Sequence, residues 1–107
     1  MFVRAVFASA LLLLDFGCAQ GADIAAGLTS ARTLCVSCHF VEPGDGREKT
    51  VVDGIPSFMA IAERSGQTEA DVKVFMLKPH PPMPKVQLTT HELDNLASYI
   101  MSLKGRR

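Results

Sequence analysis

The densest chemistry in this chain lies in five residues, Cys35-Val36-Ser37-Cys38-His39. They read C-x-x-C-H, the attachment pattern of a c-type haem. Two thiols at this spacing can each form a thioether with one porphyrin vinyl group, and the histidine that follows can reach the iron from one side. Other chemistries use parts of the pattern. A thioredoxin-like redox pair expects a βαβ context, and no strand pattern is visible. A zinc centre needs four ligands. His80 or His91 could join Cys35 and Cys38, but there is no second paired cluster.

A haem that carries electrons needs a second axial ligand, and Met is the usual partner of His. The chain has five methionines. Met1 opens it, and Met59, Met76 and Met101 fall on expected helices, where a methionine is most often gap-filler. Met83 alone sits in a rigid loop. Pro79-His80-Pro81-Pro82-Met83-Pro84 has four prolines in six residues, which holds an extended segment at low entropic cost. His80 is the competing ligand and would make a bis-His haem of lower potential. A lone histidine between prolines is otherwise an exposed loop residue. His91 is expected to be solvated, in the first turn of the last helix.

Helices must deliver these groups. Asp23 is a helix cap, and Ile24, Gly27, Leu28, Ala31, Leu34 and Cys35 follow at helical spacing as one apolar face. Gly27 on that face marks a close approach by another element, or a glycine tolerated near a helix start. The helix ends where the two cysteines begin. Residues 40–56 read as loop, with turn chemistry at Pro43-Gly44-Asp45-Gly46 and Asp53-Gly54-Ile55-Pro56. Ser57 caps a short helix with Phe58, Ile61 and Ala62 inward, ending near Ser65-Gly66. Thr68 with Asp71 forms a capping box for a helix with Val72, Phe75 and Met76 inward, which must stop before Pro79. Thr89 with Glu92 forms another. The last helix carries Leu93, Leu96, Ala97, Ile100 and Leu103 on one stripe, with Tyr99 beside it and Lys104-Gly105 as the stop.

Length and composition bound the rest. With 107 residues, one domain is expected. Residues 1–21 read as a cleaved signal peptide. Arg4 is the positive end, Ala5 to Leu14 the apolar stretch, and Gly17, Cys18 and Ala19 the small residues before cleavage after Ala19 or Gly21. The apolar run is short for a bilayer span, which sets aside stable membrane insertion. An uncleaved anchor is the alternative. A lipidated Cys18 would place Asp15 where an apolar residue is expected. Eleven basic and eleven acidic residues cancel, and losing Arg4 and Asp15 keeps the balance, so no nucleic acid or anionic membrane is indicated as a partner. The domain left, 22–107, is small enough for a hydrophobic core alone to be marginal. Its only cysteines, Cys35 and Cys38, are too close for a disulfide to close a useful loop. A covalently held apolar cofactor would supply the missing core.

These motifs in this order resemble the class I bacterial cytochromes c, the small monohaem periplasmic type. Three stretches carry the likeness across 22–105: Ile24-Ala25-Ala26-Gly27-Leu28 before Cys35-Val36-Ser37-Cys38-His39, the Pro79–Pro84 methionine loop, and Leu96-Ala97-Ser98-Tyr99-Ile100-Met101-Ser102-Leu103-Lys104. Cytochrome c′-type bundles also carry CxxCH, but near their C-terminus. The resemblance implies an all-α, small cytochrome c-type fold, with crossed N- and C-terminal helices around one covalently bound haem. Gly27 and Leu28 would meet Tyr99 at the crossing, and Pro56 would lie near the haem. The family often has an aromatic where Leu28 stands. The segment between CxxCH and Met83 is short, which implies a trimmed loop and a more exposed propionate edge, with Arg47 and Lys49 as candidate neighbours of the propionates.

The function expected is a monomeric periplasmic electron carrier, not an enzyme. It would hold one haem c through Cys35 and Cys38, ligate the iron with His39 and Met83, and pass electrons between redox proteins such as a dehydrogenase, a cytochrome complex or an oxidase. Lys78 and Lys85 flank the ligand loop and could guide an acidic partner, or simply be solvated. Two rivals stand beside it. One is a haem enzyme or gas- or peroxide-binding sensor in which Met83 dissociates. The other is a haem subunit dedicated to one dehydrogenase.

Overall fold

Asp23 accepts a hydrogen bond from the amide of Ala26, satisfying one of the donors that every helix start leaves open. In the computed structural model of the protein, which describes residues 21–44 and 54–106, helix α1 then runs Ile24–Leu34. Ser57 caps α2 (Phe58–Ala62). Thr68 and Asp71 form a reciprocal capping box on α3 (Glu69–Leu77), and Thr89 and Glu92 do so on α4 (Thr90–Ser102). All four start signals read from the sequence operate. No strand occurs among the described residues, so the fold is all-α, as expected for a small cytochrome c-type domain. The expected signal peptide lies outside the described residues except for Gly21, and so do Arg47 and Lys49.

The stops are less regular than the starts. Helix α2 ends at Ala62, before the expected Ser65-Gly66, and Gly66 turns the chain at φ +71° toward α3. Gly105 takes φ +78° at the end of α4, and its amide donates to the carboxylate of Glu63. That bond ties the chain end to the foot of α2.

Helix α4 is the central pillar, with α1, α2 and α3 all packed on it. The expected stripe of Leu93, Leu96, Ala97, Ile100 and Leu103 is buried, but so are Asn95, Ser98 and Tyr99. A helix flanked on three sides buries more than one stripe. Asn95 is a polar side chain only 4 % exposed, and its Oδ1 accepts the amide of Asp23 at 2.8 Å. The cap residue of α1 is thereby fastened to α4.

Helices α1 and α4 meet at Gly27. A Cβ placed there would stand 2.1 Å from the carbonyl oxygen of Asn95 and 2.7 Å from the Cβ of Tyr99. The close approach implied by the sequence is therefore real, and it explains a glycine inside a helix. Leu28 is half-buried against the same core. Gly27→Ala should gain about 1 kcal/mol of helix propensity. It should lose more than that, because the clash is with backbone and can be relieved only by separating the helices, and overpacking typically costs about 1–3 kcal/mol and occasionally more. A net loss of about 2 kcal/mol should lower the holoprotein's thermal midpoint by roughly 10 °C for a domain of this size. An unchanged midpoint would remove this contact as the reason for the glycine.

Two residues of the expected α1 face are not covered. Ile24 is 48 % and Leu34 43 % exposed. They are the first and last residues of the helix, whereas Gly27 and Ala31 between them are buried. Leu34 borders an open cleft; nothing in the structure explains the exposure of Ile24.

Candidate haem site

Cys35 to His39 continue α1 as a tight turn. The amide of Cys35 donates to Ala31 O at 2.9 Å, and those of Cys38 and His39 both donate to Cys35 O, at 3.2 and 2.8 Å. The turn sets Cys35, Cys38 and His39 on one cleft. Cys35 is buried and Cys38 half-buried, both as free thiols. Burial pushes the Cys35 thiol up to about 11, so it is protonated at neutral pH. A disulfide-exchange cysteine needs the opposite shift, which argues against the redox reading of this CxxC.

A chain of packed rings holds the imidazole. The His39 ring lies 5.4 Å from that of Phe58, and Phe58 lies 6.5 Å from Tyr99 on α4. The Tyr99 hydroxyl donates to Val41 O at 2.5 Å, and the amide of Phe58 donates to Phe40 O at 2.9 Å. The segment just after the motif is therefore pinned by both α2 and α4. Arg32 adds a forked contact to the carboxylate of Glu42, with Nε at 3.0 Å.

His39 Nδ1 is 2.8 Å from Pro56 O. A carbonyl oxygen can only accept, so Nδ1 carries a proton, and in the neutral ring Nε2 is left with its lone pair. That is the tautomer and orientation a metal-ligating histidine requires. The sequence placed Pro56 near this centre only through resemblance; its carbonyl is what sets the imidazole.

Met83 reaches the same place from the far side of the chain. Its amide donates to His80 O at 3.1 Å, closing a turn over Pro81-Pro82, whose peptide bond is cis. Met83 is half-buried and packs on the core cluster. Cys35, Cys38, His39 and Met83 all line one open cleft of about 480 Å³. Phe58, Ile61, Val72, Phe75, Met76 and Ile100 give it an apolar wall.

Two further donors line the cleft. His80 is exposed, with its ring 5.2 Å from Phe75 and edge-on to it, and its Nδ1 donates to Pro81 O at 3.1 Å. Met76, 8 % exposed, also borders the cleft. Helical spacing turned Met76 inward, but periodicity cannot say whether inward means core or cleft. His91 is exposed, as its cap position required. Among the described residues no three His, Cys, Asp or Glu side chains converge as a metal site, so the zinc alternative has no support there.

The cleft fits a haem on its own evidence: two thiols, an imidazole, a thioether and a largely apolar wall of suitable size. The sequence comparisons point the same way. Over 86 residues the chain is 35 % identical to a protein named cytochrome c-552 from Bradyrhizobium diazoefficiens, covering 80 % of each chain. The chain belongs to the monohaem c-type cytochromes. Its cofactor is haem c. No family model matches the chain, and no solved structure matches it. No helix among the described residues is long and apolar enough to cross a membrane.

Proposed function

We propose that this cytochrome is a periplasmic one-electron carrier, with its haem bonded through Cys35 and Cys38 and ligated by His39 and Met83. The observation that carries this reading is the meeting of His39 and Met83 in one cleft, each held by backbone hydrogen bonds. Haem c supplies the Fe(III)/Fe(II) couple.

The chain's own residues do the rest. Pro56 O accepts from His39 Nδ1 and so leaves Nε2 as the nitrogen aimed at the iron. The His80–Met83 turn presents the thioether from a proline-stiffened loop, so little entropy is spent in holding a weak ligand. The apolar wall excludes water and favours the less charged ferrous state. His39 and Met83 would hold the iron in both oxidation states, which would keep reorganisation small and leave no open position for substrate.

The redox partners are proteins that approach the open side of the cleft. Exposed Lys78 and Lys85 flank the methionine loop and suit an acidic partner surface. Export rests on the leader read in residues 1–21.

The test is spectroscopic, on protein exported from cells able to mature c-type haem. The expected result is a reversible one-electron titration, an iron–thioether charge-transfer band in the oxidised form and slow binding of CO to the reduced form. A missing band together with fast CO binding would replace the carrier by a sensor or enzyme in which Met83 dissociates.

A further inference from the structure

Among the described side chains lining the cleft, one carries a permanent charge: Arg64. It lies on the connection between α2 and α3, which the sequence reading left without a role. Its amide donates to Ile61 O at 3.3 Å, and its carbonyl accepts the amide of Gln67 at 3.0 Å. This turn puts Gln67, the only carboxamide among the described lining residues, on the cleft with it. Among the described residues no aspartate or glutamate lines the cleft. With the described residues, the Arg64 side chain forms no ion pair or hydrogen bond.

Haem c brings two carboxylates into this setting. The thioether bonds secure one edge of the ring, and the carboxylates hang from the edge opposite. A carboxylate at an apolar cleft must find donors or remain in water. A guanidinium offers a planar fork of N–H groups that matches it, and it stays charged at every accessible pH. A carboxamide adds two neutral donors.

We propose that Arg64, with Gln67 beside it, binds a haem propionate, making the 64–67 turn the carboxylate-recognising rim of the cleft. The proposal rests on the assignment of the haem to this cleft. Arg64 is a positioning residue here: it orients the ring and places a positive charge near it. That charge disfavours Fe(III) and raises the reduction potential. Gln67 contributes the same contact without the charge.

The test compares holoproteins carrying Arg64→Gln, Arg64→Lys, Gln67→Ala and, as a control for loss of a charge outside the cleft lining, Arg106→Gln. Two readouts are taken: the reduction potential, and proton NMR of the haem propionate methylenes with their contacts to the Arg64 side chain. Arg64→Gln should lower the potential, shift the methylene signals and abolish a contact present in the unaltered protein. Arg64→Lys should recover part of the potential. Gln67→Ala should move the methylene signals with a smaller change in potential. If Arg64→Gln merely matches Arg106→Gln, or no contact from Arg64 to the propionate methylenes exists in the unaltered protein, the proposal is overturned. If the unaltered chain acquires no covalent haem, the assignment of the cleft fails first, which a pyridine haemochrome spectrum distinguishes.

Discussion

Cys35→Ala combined with Cys38→Ala should leave the exported chain with no covalently bound haem, and with little folded protein. The size of the effect follows from what the cofactor does for the core. The described part of the molecule is three short helices packed on a fourth, and its cleft is walled by side chains such as Phe58, Ile61, Val72 and Phe75. Without a cofactor the half-buried members, Ile61 and Phe75, leave apolar surface in water. An apolar surface of this kind contributes roughly 25 cal/mol per Å² when covered, against a total stability of only about 5–15 kcal/mol for a typical domain. A domain of this length has little to spare. The measurement is haem staining of the denatured chain together with far-ultraviolet circular dichroism of the purified product. Haem that survives denaturation in the double variant would sink the attachment reading. The truncation itself is a minor perturbation, because a cysteine side chain is small and Cys38 is only half-buried.

Met83→Leu and Met83→Ala should both retain covalent haem, yet both should lose the iron–thioether band, show a lower potential and bind CO rapidly when reduced. Leucine keeps most of the packing volume and cannot ligate, so its effect isolates the sulfur from the shape. Alanine adds a packing loss, below the roughly 2–5 kcal/mol typical of a fully buried methionine, because Met83 is only partly covered. The two variants should therefore agree in spectrum and differ in thermal midpoint. A charge-transfer band that persists in Met83→Leu would name a different thioether, and Met76 in the cleft wall is the candidate. A persistent low-spin spectrum without that band would instead indicate the imidazole of His80, whose Nδ1 is tied to Pro81 O.

Local signals were legible because their physics is local. The caps at Asp23, Ser57, Thr68 and Thr89 each pair a side-chain oxygen with an amide three residues on, so both partners lie in one short window. Burial was legible where one stripe faced one neighbour. It was misjudged where neighbours were missing or extra. Leu34 shared a face with Gly27 and Ala31 but borders the open cleft, where cover runs out. Asn95 and Ser98 lay off the stripe of α4, yet several helices enclose them. Gly27 was an intermediate case: its position inside a helix announced a close neighbour, but only the resemblance pointed to Tyr99.

The sequence by itself pointed to the cofactor and to the two thiols proposed to tether it. CxxCH is a contiguous pattern, and the spacing of its thiols and histidine is set by covalent geometry. It also singled out Met83, through prolines that are neighbours in the chain. Only the tertiary structure decided which tautomer His39 holds, because the acceptor is a backbone carbonyl 17 residues away that side-chain identity does not encode. The same is true of Met76 as a cleft-wall thioether and of Arg64 and Gln67 at its rim. Each belongs to an element with its own local logic, and each meets the cleft only because α2 and α3 pack on α4. Contacts between distant segments follow from packing, and packing is not written in any one window of the chain.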